Sequence, residues 1–131
     1  MRDIAFTGLV LLSLYHILVL IGLINYDFVW GGYIDNIPMM VILETISLSI
    51  TCLLIYLIIY IKKSEQITLY STIGLLFGFN VFLLSLIGNL LSSNDLEKFL
   101  GSSVALFYIY YFFFELKQTR FTKNFMVGEN I

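Results

Sequence analysis

The amino-acid sequence predicts an all-α integral membrane protein, folded as an up-down-up-down four-helix bundle. Composition is the first reason: of 131 residues, 60% are hydrophobic and only 12% are charged, whereas soluble domains are about 25% charged. The second reason is that the apolar residues form four runs of about 18–24 residues, enough to cross a hydrocarbon core of about 30 Å. Third, these runs lack the alternation of β-barrel strands. We therefore expect one transmembrane domain over 1–131.

The first run, Ile4–Ile24, is interpreted as a retained transmembrane helix over about 4–25, not as a cleaved signal peptide. A signal peptide has an apolar core of about 7–15 residues, followed by a cleavage site of small residues. This run is longer, contains Tyr15 and His16, and ends in the letters NYD.

The second run, Met39–Ile61, predicts a helix over about 38–62. Pro38 suits the first turn of a helix, and Asn36 just before it suits a turn or a cap. Lys62-Lys63 close the run, because their long side chains reach the membrane interface.

The third and fourth runs, Thr68–Leu91 and Phe99–Leu116, predict helices over about 67–92 and 98–117. The connection KKSEQ between the second and third runs is short, so the two helices that it joins must be antiparallel neighbours. The remaining 118–131 are polar and without sustained periodicity, and we expect them to form a frayed cytoplasmic tail.

Basic residues predict the orientation, because cytoplasmic loops of membrane proteins carry an excess of Lys and Arg. Only Lys98 falls on the outer side of the predicted bundle. Six basic residues fall on the other side: Arg2, Lys62, Lys63, Lys117, Arg120 and Lys123. We therefore expect a multi-pass protein of the cell membrane, with both termini cytoplasmic and the lipid bilayer as its surroundings.

Polar side chains inside the apolar runs are costly in hydrocarbon, so each one indicates function or structural locking. Glu44 is expected roughly 7 Å below the outer boundary, and His16 roughly 12 Å below it. Asn80 and Asn89 lie about 180° apart around the third helix, so they cannot both face the same neighbour. An outward-facing polar pocket is expected where the inward faces meet. Its candidate lining residues are Glu44, His16, Asn80, Asn89, Tyr26 and Trp30.

Two functional interpretations of this pocket stay open. In the first, the chain is a non-enzymatic membrane protein, and Glu44 is the central acceptor for a small cation, a proton or a lipid headgroup. In the second, the chain is a membrane assembly or interaction protein. Its polar residues are then purely structural: Glu44 clamps the outer loop, and His16 is a satisfied core histidine.

Small residues in the third helix and aromatic residues in the fourth helix bear on how these helices pack. Gly74 and Gly78 form a small-xxx-small pattern, which permits close helix contact. The pattern is compatible with a packing notch inside the bundle and with a homo-oligomer. The aromatic run Phe107–Glu115 is interpreted as lipid-facing and interfacial, and Glu115 at its end is expected to reach the headgroups.

Composition and motifs argue against several classes of function. The net charge of -2 gives no basis for nucleic-acid binding. The single cysteine, Cys52, can form neither an internal disulfide nor a Cys-x-x-Cys pair. The sequence contains no complete nucleophile–base pair, no HExxH motif and no Gly-rich phosphate loop. We therefore expect no enzyme activity, no metal and no cofactor.

The loop sequence NYDFVWGG, together with its flanking helices, resembles a family of small, uncharacterised bacterial four-helix membrane proteins with a Tyr-x-x-Val-Trp-Gly-Gly motif. This chain has Tyr33 where that family often has Arg. The resemblance implies a four-helix architecture and supplies no activity. The residues that carry it are Tyr15, His16, Tyr26, Val29, Trp30, Gly31, Gly32, Glu44, Gly88, Asn89, Glu97 and Lys98.

Overall fold

The computed structural model describes residues 1–25, 29–30, 36–64 and 68–128, with side chains described as far as Gln118. These residues form four α-helices and no strand, which confirms the predicted all-α four-helix architecture. Each of the four helical segments is long and apolar enough to cross a membrane. The helices are α1 (Arg2–Leu20), α2 (Ile37–Lys63), α3 (Leu69–Leu91) and α4 (Ser102–Gly128), with a π-helical turn, Glu97–Gly101, leading into α4.

Helix α1 ends at Leu20, about one turn earlier than the hydropathy of the sequence predicts. Gly22 has a φ of +76°, a left-handed conformation that glycine adopts without steric cost. Its N–H donates to the carbonyl of Val19 at 3.0 Å, and the N–H of Leu23 donates to the carbonyl of Leu18 at 2.9 Å. This is the Schellman pattern of a helix end. Gly22 therefore stops α1 inside a stretch that is still apolar.

The caps of the next two helices follow from their sequences. The Asn36 side chain accepts a hydrogen bond of 2.8 Å from the Met39 N–H, as expected for an N-cap. The Thr68 hydroxyl accepts the Ser71 N–H at 3.3 Å and caps α3 in the same way.

The C-terminal boundary of the last helix differs from the prediction. The backbone of α4 stays helical to Gly128 and so includes most of the segment that was expected to be a frayed tail. A helix that is already nucleated gains one hydrogen bond for each added residue. The polar composition of that segment therefore did not end the helix.

The four helices are arranged as two hairpins. Helix α1 packs mainly on α2, and α3 packs mainly on α4, whereas the contact between α2 and α3 is small. Arg2 pairs with Glu115, and Lys62 pairs with Asp3, so the start of α1 lies beside the end of α2 and the middle of α4. We call this end of the bundle the basic side and the opposite end the Trp30 side.

An apolar core joins the two hairpins. Leu9 of α1, Leu54 of α2 and Leu75 of α3 are at most 1% exposed and belong to one cluster with rings from α4. The ring of Tyr108 stacks on Phe82 with centroids 4.4 Å apart.

This packing corrects the interpretation of the aromatic run as a lipid-facing segment. Tyr108, Tyr111 and Phe112 are buried in the core, whereas Tyr110 and Phe113 remain exposed. One face of α4 therefore builds the bundle, and only the other face is available to lipid.

Gly74 and Gly78 of α3 make room for side chains of the same chain. A Cβ atom at Gly74 would lie 2.7 Å from Cδ1 of Leu57, and one at Gly78 would lie 2.7 Å from the ring of Phe112. Both contacts support the interpretation of a packing notch inside the bundle. A homo-oligomer through these glycines stays a prediction.

Candidate functional site

Glu44 is a buried carboxylate near the Trp30 side, and each of its oxygens has a hydrogen-bond partner. The indole Nε1–H of Trp30 donates to Oε1 at 2.7 Å. Nδ1 of His16 lies 2.6 Å from Oε2 and donates to it when it carries a hydrogen. Glu44 is 1% exposed. We call His16, Trp30 and Glu44 the carboxylate cluster.

Three parts of the chain supply the carboxylate cluster. His16 lies one turn before the end of α1. Glu44 lies two turns after the start of α2. Trp30 comes from the segment between the two helices. The cluster thus ties the first hairpin together at its Trp30 side.

The backbone of Trp30 has a φ of +56°. A residue other than glycine in this left-handed region is strained, and such strain costs of order 1–3 kcal/mol. Trp30 is 39% exposed, and the N–H of its indole reaches the buried Glu44. The hydrogen bond to Glu44 therefore holds a strained residue in place.

Apolar residues surround the carboxylate cluster. Val19, Val29 and Met40 are buried and form a second core cluster, against which Tyr15 and Ile24 pack. The ring of Tyr15 also meets the His16 ring edge-on, with centroids 5.8 Å apart. A carboxylate in such surroundings is costly unless it is hydrogen-bonded or paired, and His16 and Trp30 supply those bonds.

The other predicted pocket residues lie elsewhere or fall outside the described residues. Asn80 is exposed, and its amide donates to the Leu76 carbonyl of its own helix at 2.7 Å. The Asn89 amide donates to Ser85 Oγ at 3.3 Å and packs on Gly101, where a Cβ atom would lie 2.6 Å from it. The bond of Asn80 therefore stays within α3, and Asn89 lies between α3 and the π-helical turn. Tyr26 lies outside the described residues.

The structure also corrects the expected position of Glu115. Instead of reaching the headgroups, Glu115 is 4% exposed and accepts two hydrogen bonds from Arg2, at 2.9 Å and 2.8 Å. A planar guanidinium matches both oxygens of a carboxylate, so the pair fixes orientation as well as charge. The sequence held one signal for this contact: both residues were predicted at the same membrane boundary.

One polar group near the site has no assigned role. Ser13 lies one turn from His16 on the same face of α1, and its buried hydroxyl has no hydrogen-bond partner among the described residues.

Among 1–25, 29–30, 36–64 and 68–128, no three His, Cys, Asp or Glu side chains are grouped to hold a metal ion.

Comparisons with protein-family models, with curated proteins and with solved structures find no match for this chain. The resemblance drawn from its loop motif therefore stays a prediction. The function must be argued from the residues of the carboxylate cluster and from the bundle that holds them.

Proposed function

We propose that this small multi-pass membrane protein is non-enzymatic and that its carboxylate cluster binds a proton. The contact of 2.6 Å between His16 and Glu44 supports this proposal best, because it places two titratable groups in one buried site. The gain or loss of one proton by the pair changes the charge of a site that apolar residues surround.

The hydrogen bonds favour a proton over the other two candidate ligands. Oε1 of Glu44 already accepts the N–H of Trp30, and Oε2 lies 2.6 Å from Nδ1 of His16. A metal cation or an ammonium headgroup would have to displace at least the Trp30 N–H to reach both oxygens. A phosphate headgroup would meet the negative charge of the carboxylate. A proton joins the site without displacing any partner.

Proton binding would act on the segment that contains Trp30. A neutral carboxylic acid is a weaker acceptor than a carboxylate, so protonation of Glu44 weakens its bond to the indole. The left-handed backbone of Trp30 is then less firmly held. A change of pH would thus change the backbone conformation at Trp30, in the segment that joins α1 to α2.

We also propose the orientation that the basic residues predict. Arg2, Lys62 and Lys117 lie at the basic side, which would face the cytoplasm of the cell in accordance with the positive-inside rule. The carboxylate cluster would then face outward.

Trp30 is the only tryptophan of the chain and therefore reports directly on the cluster. We would record its fluorescence and the infrared carboxyl absorption in nanodiscs over the whole pH range in which the bundle stays folded. The proposal expects one shared transition, absent in Glu44→Gln and retained in Glu115→Gln, a matched variant of the buried carboxylate at the basic side. Signals that stay constant over this range would contradict it.

A second candidate function is that of a membrane assembly or interaction protein. One observation favours it: Glu44 is almost completely buried, and both of its oxygens are bonded to groups of the protein. The cluster would then act only as a lock on the first hairpin. A partner would meet another surface, such as the basic C-terminal segment or a homo-oligomer contact at Gly74 and Gly78.

A further inference from the structure

The membrane-facing surface contains an apolar groove between α2 and α3, in the half of the bundle near the basic side. Its volume is about 500 Å³, and it is open to the membrane. The groove exists because the two hairpins touch only lightly along these helices. Its walls are formed by Leu53, Leu54, Tyr56, Leu57, Tyr60, Tyr70, Ser71, Ile73, Gly74 and Phe77.

The end of the groove at the basic side is polar. The hydroxyls of Tyr60 and Thr68 lie 3.4 Å apart and link α2 to the start of α3. Lys63 follows Tyr60 by three positions and Tyr56 by seven, so it lies about one turn beyond the groove, on the side of α2 that carries Tyr56. Lys62 is turned away from this side and pairs with Asp3 of α1. The groove therefore ends about one turn before an exposed lysine at the basic side.

The walls of the groove fit a flexible chain better than a second helix. Close helix docking needs a flat surface of small residues. Gly74 lines the groove beside Leu57, whereas Gly78 is covered by Phe112 and does not line it. Eight of the ten lining residues are bulky. What remains is a channel between bulky aliphatic and aromatic side chains.

We propose that this groove binds an acyl chain of an anionic phospholipid, with the lipid phosphate beside Lys63. The charge of Lys63 complements the phosphate, and basic sites between transmembrane helices are a known setting for anionic headgroups. Tyrosine is enriched at the depth where headgroups begin, which matches Tyr60 and Tyr70 at this end. This site lies at the opposite end of the bundle from the carboxylate cluster and does not depend on the function proposed for that cluster.

The test uses tryptophan reporters and phospholipids brominated on their acyl chains, which quench tryptophan on contact. Tyr56→Trp places the reporter on the wall of the groove. Tyr110→Trp is the matched control, because Tyr56 and Tyr110 are similarly exposed, at 66% and 60%, and Tyr110 lies outside the groove. The unchanged chain supplies the baseline from Trp30. The bilayer is phosphatidylcholine with a minor fraction of brominated phosphatidylglycerol or brominated phosphatidylcholine.

We expect brominated phosphatidylglycerol to occupy the groove with a preference of about fivefold, since one lysine near an anionic surface is worth ~1 kcal/mol. Quenching of Tyr56→Trp should show this preference, and quenching of Tyr110→Trp should not. Lys63→Gln should remove the preference, whereas Lys98→Gln, which changes the basic residue of the other side, should retain it.

Two results would overturn the proposal. Equal quenching of Tyr56→Trp by both brominated lipids would mean that the groove holds only unselected bilayer lipid. Absence of quenching by either lipid at Tyr56→Trp, with normal quenching at Tyr110→Trp, would mean that a second copy of the chain covers the groove. Circular dichroism of each variant establishes that the helices are intact before quenching is compared.

Discussion

Nδ1 of His16 lies 2.6 Å from Oε2 of Glu44, and this contact joins the last full turn of α1 to the second turn of α2. The two residues are 28 positions apart in the sequence. Their contact sets how far α1 is shifted along α2. It also places a pair of titratable groups within the bundle.

Replacement of Glu44 should destabilise the bundle. Glu44→Gln keeps an oxygen for the Trp30 indole but loses a charged acceptor, and a hydrogen bond to a charged group contributes about 1.5–3 kcal/mol. We expect the free energy of unfolding, measured by reversible unfolding in mixed micelles, to fall by that amount. Thr45→Val is the control, because the exposed Thr45 hydroxyl donates only to Val41 of its own helix. The free energy of unfolding of Thr45→Val should differ from that of the unchanged chain by at most about 0.5 kcal/mol.

A double-mutant cycle should show that His16 and Glu44 act together. The unfolding free energies of His16→Leu, Glu44→Gln and the double variant should give a coupling energy of about 1–3 kcal/mol. Asn80→Leu combined with Glu44→Gln should be additive within about 0.5 kcal/mol, because Asn80 bonds only within α3 in the contacts described. Additivity of the His16 and Glu44 changes would show that the short contact has no energetic role.

The Arg2–Glu115 pair should respond differently to single and double replacement. Arg2→Met leaves a buried carboxylate without its partner, which we expect to cost about 1–3 kcal/mol, since the Arg2 side chain is 36% exposed. Arg2→Met combined with Glu115→Met removes both charges, and the double variant should recover most of the loss. A double variant less stable than Arg2→Met would contradict this account. Thermal unfolding in nanodiscs provides the comparison.

Two glycines of α3 should respond in opposite directions to the same substitution. Gly78→Ala brings a methyl group against the Phe112 ring, which we expect to cost about 1–3 kcal/mol of unfolding free energy. Gly88→Ala meets no atom within 4 Å and gains helix propensity, so it should be neutral or stabilising by up to about 1 kcal/mol. Equal effects at the two positions would show that Gly78 is not a packing notch.

The architecture could be predicted from the sequence because the bilayer imposes a simple length requirement on apolar helices. The end of α1 was missed because hydropathy ignores backbone conformation: Ile21, Leu23 and Ile24 remain apolar after Gly22 has already turned the chain. The aromatic faces of α4 were also misassigned. A helix with aromatic residues all round has no apolar stripe, so only the neighbouring helices decide which rings are buried.

The candidate site could be predicted from depth but not from rotation about the helix axes. Depth placed Glu44 and His16 roughly 7 Å and 12 Å below the outer boundary, close enough for a pair, and the structure brings them into contact. Asn80 was also expected near the pocket, yet its side chain turns outward from α3. Counting residues gives the height of a side chain in the membrane, whereas its direction depends on how the helices pack.

The two-hairpin arrangement has a consequence for how the chain is made. The first hairpin contains Glu44 together with both of its hydrogen-bond partners, His16 and Trp30. It can therefore leave the ribosome and enter the bilayer with its most costly side chain already satisfied. Glu115 is synthesised after the whole first hairpin, so its partner Arg2 is already present when the last helix is made. The order of synthesis is thus also the order in which each buried carboxylate can be neutralised.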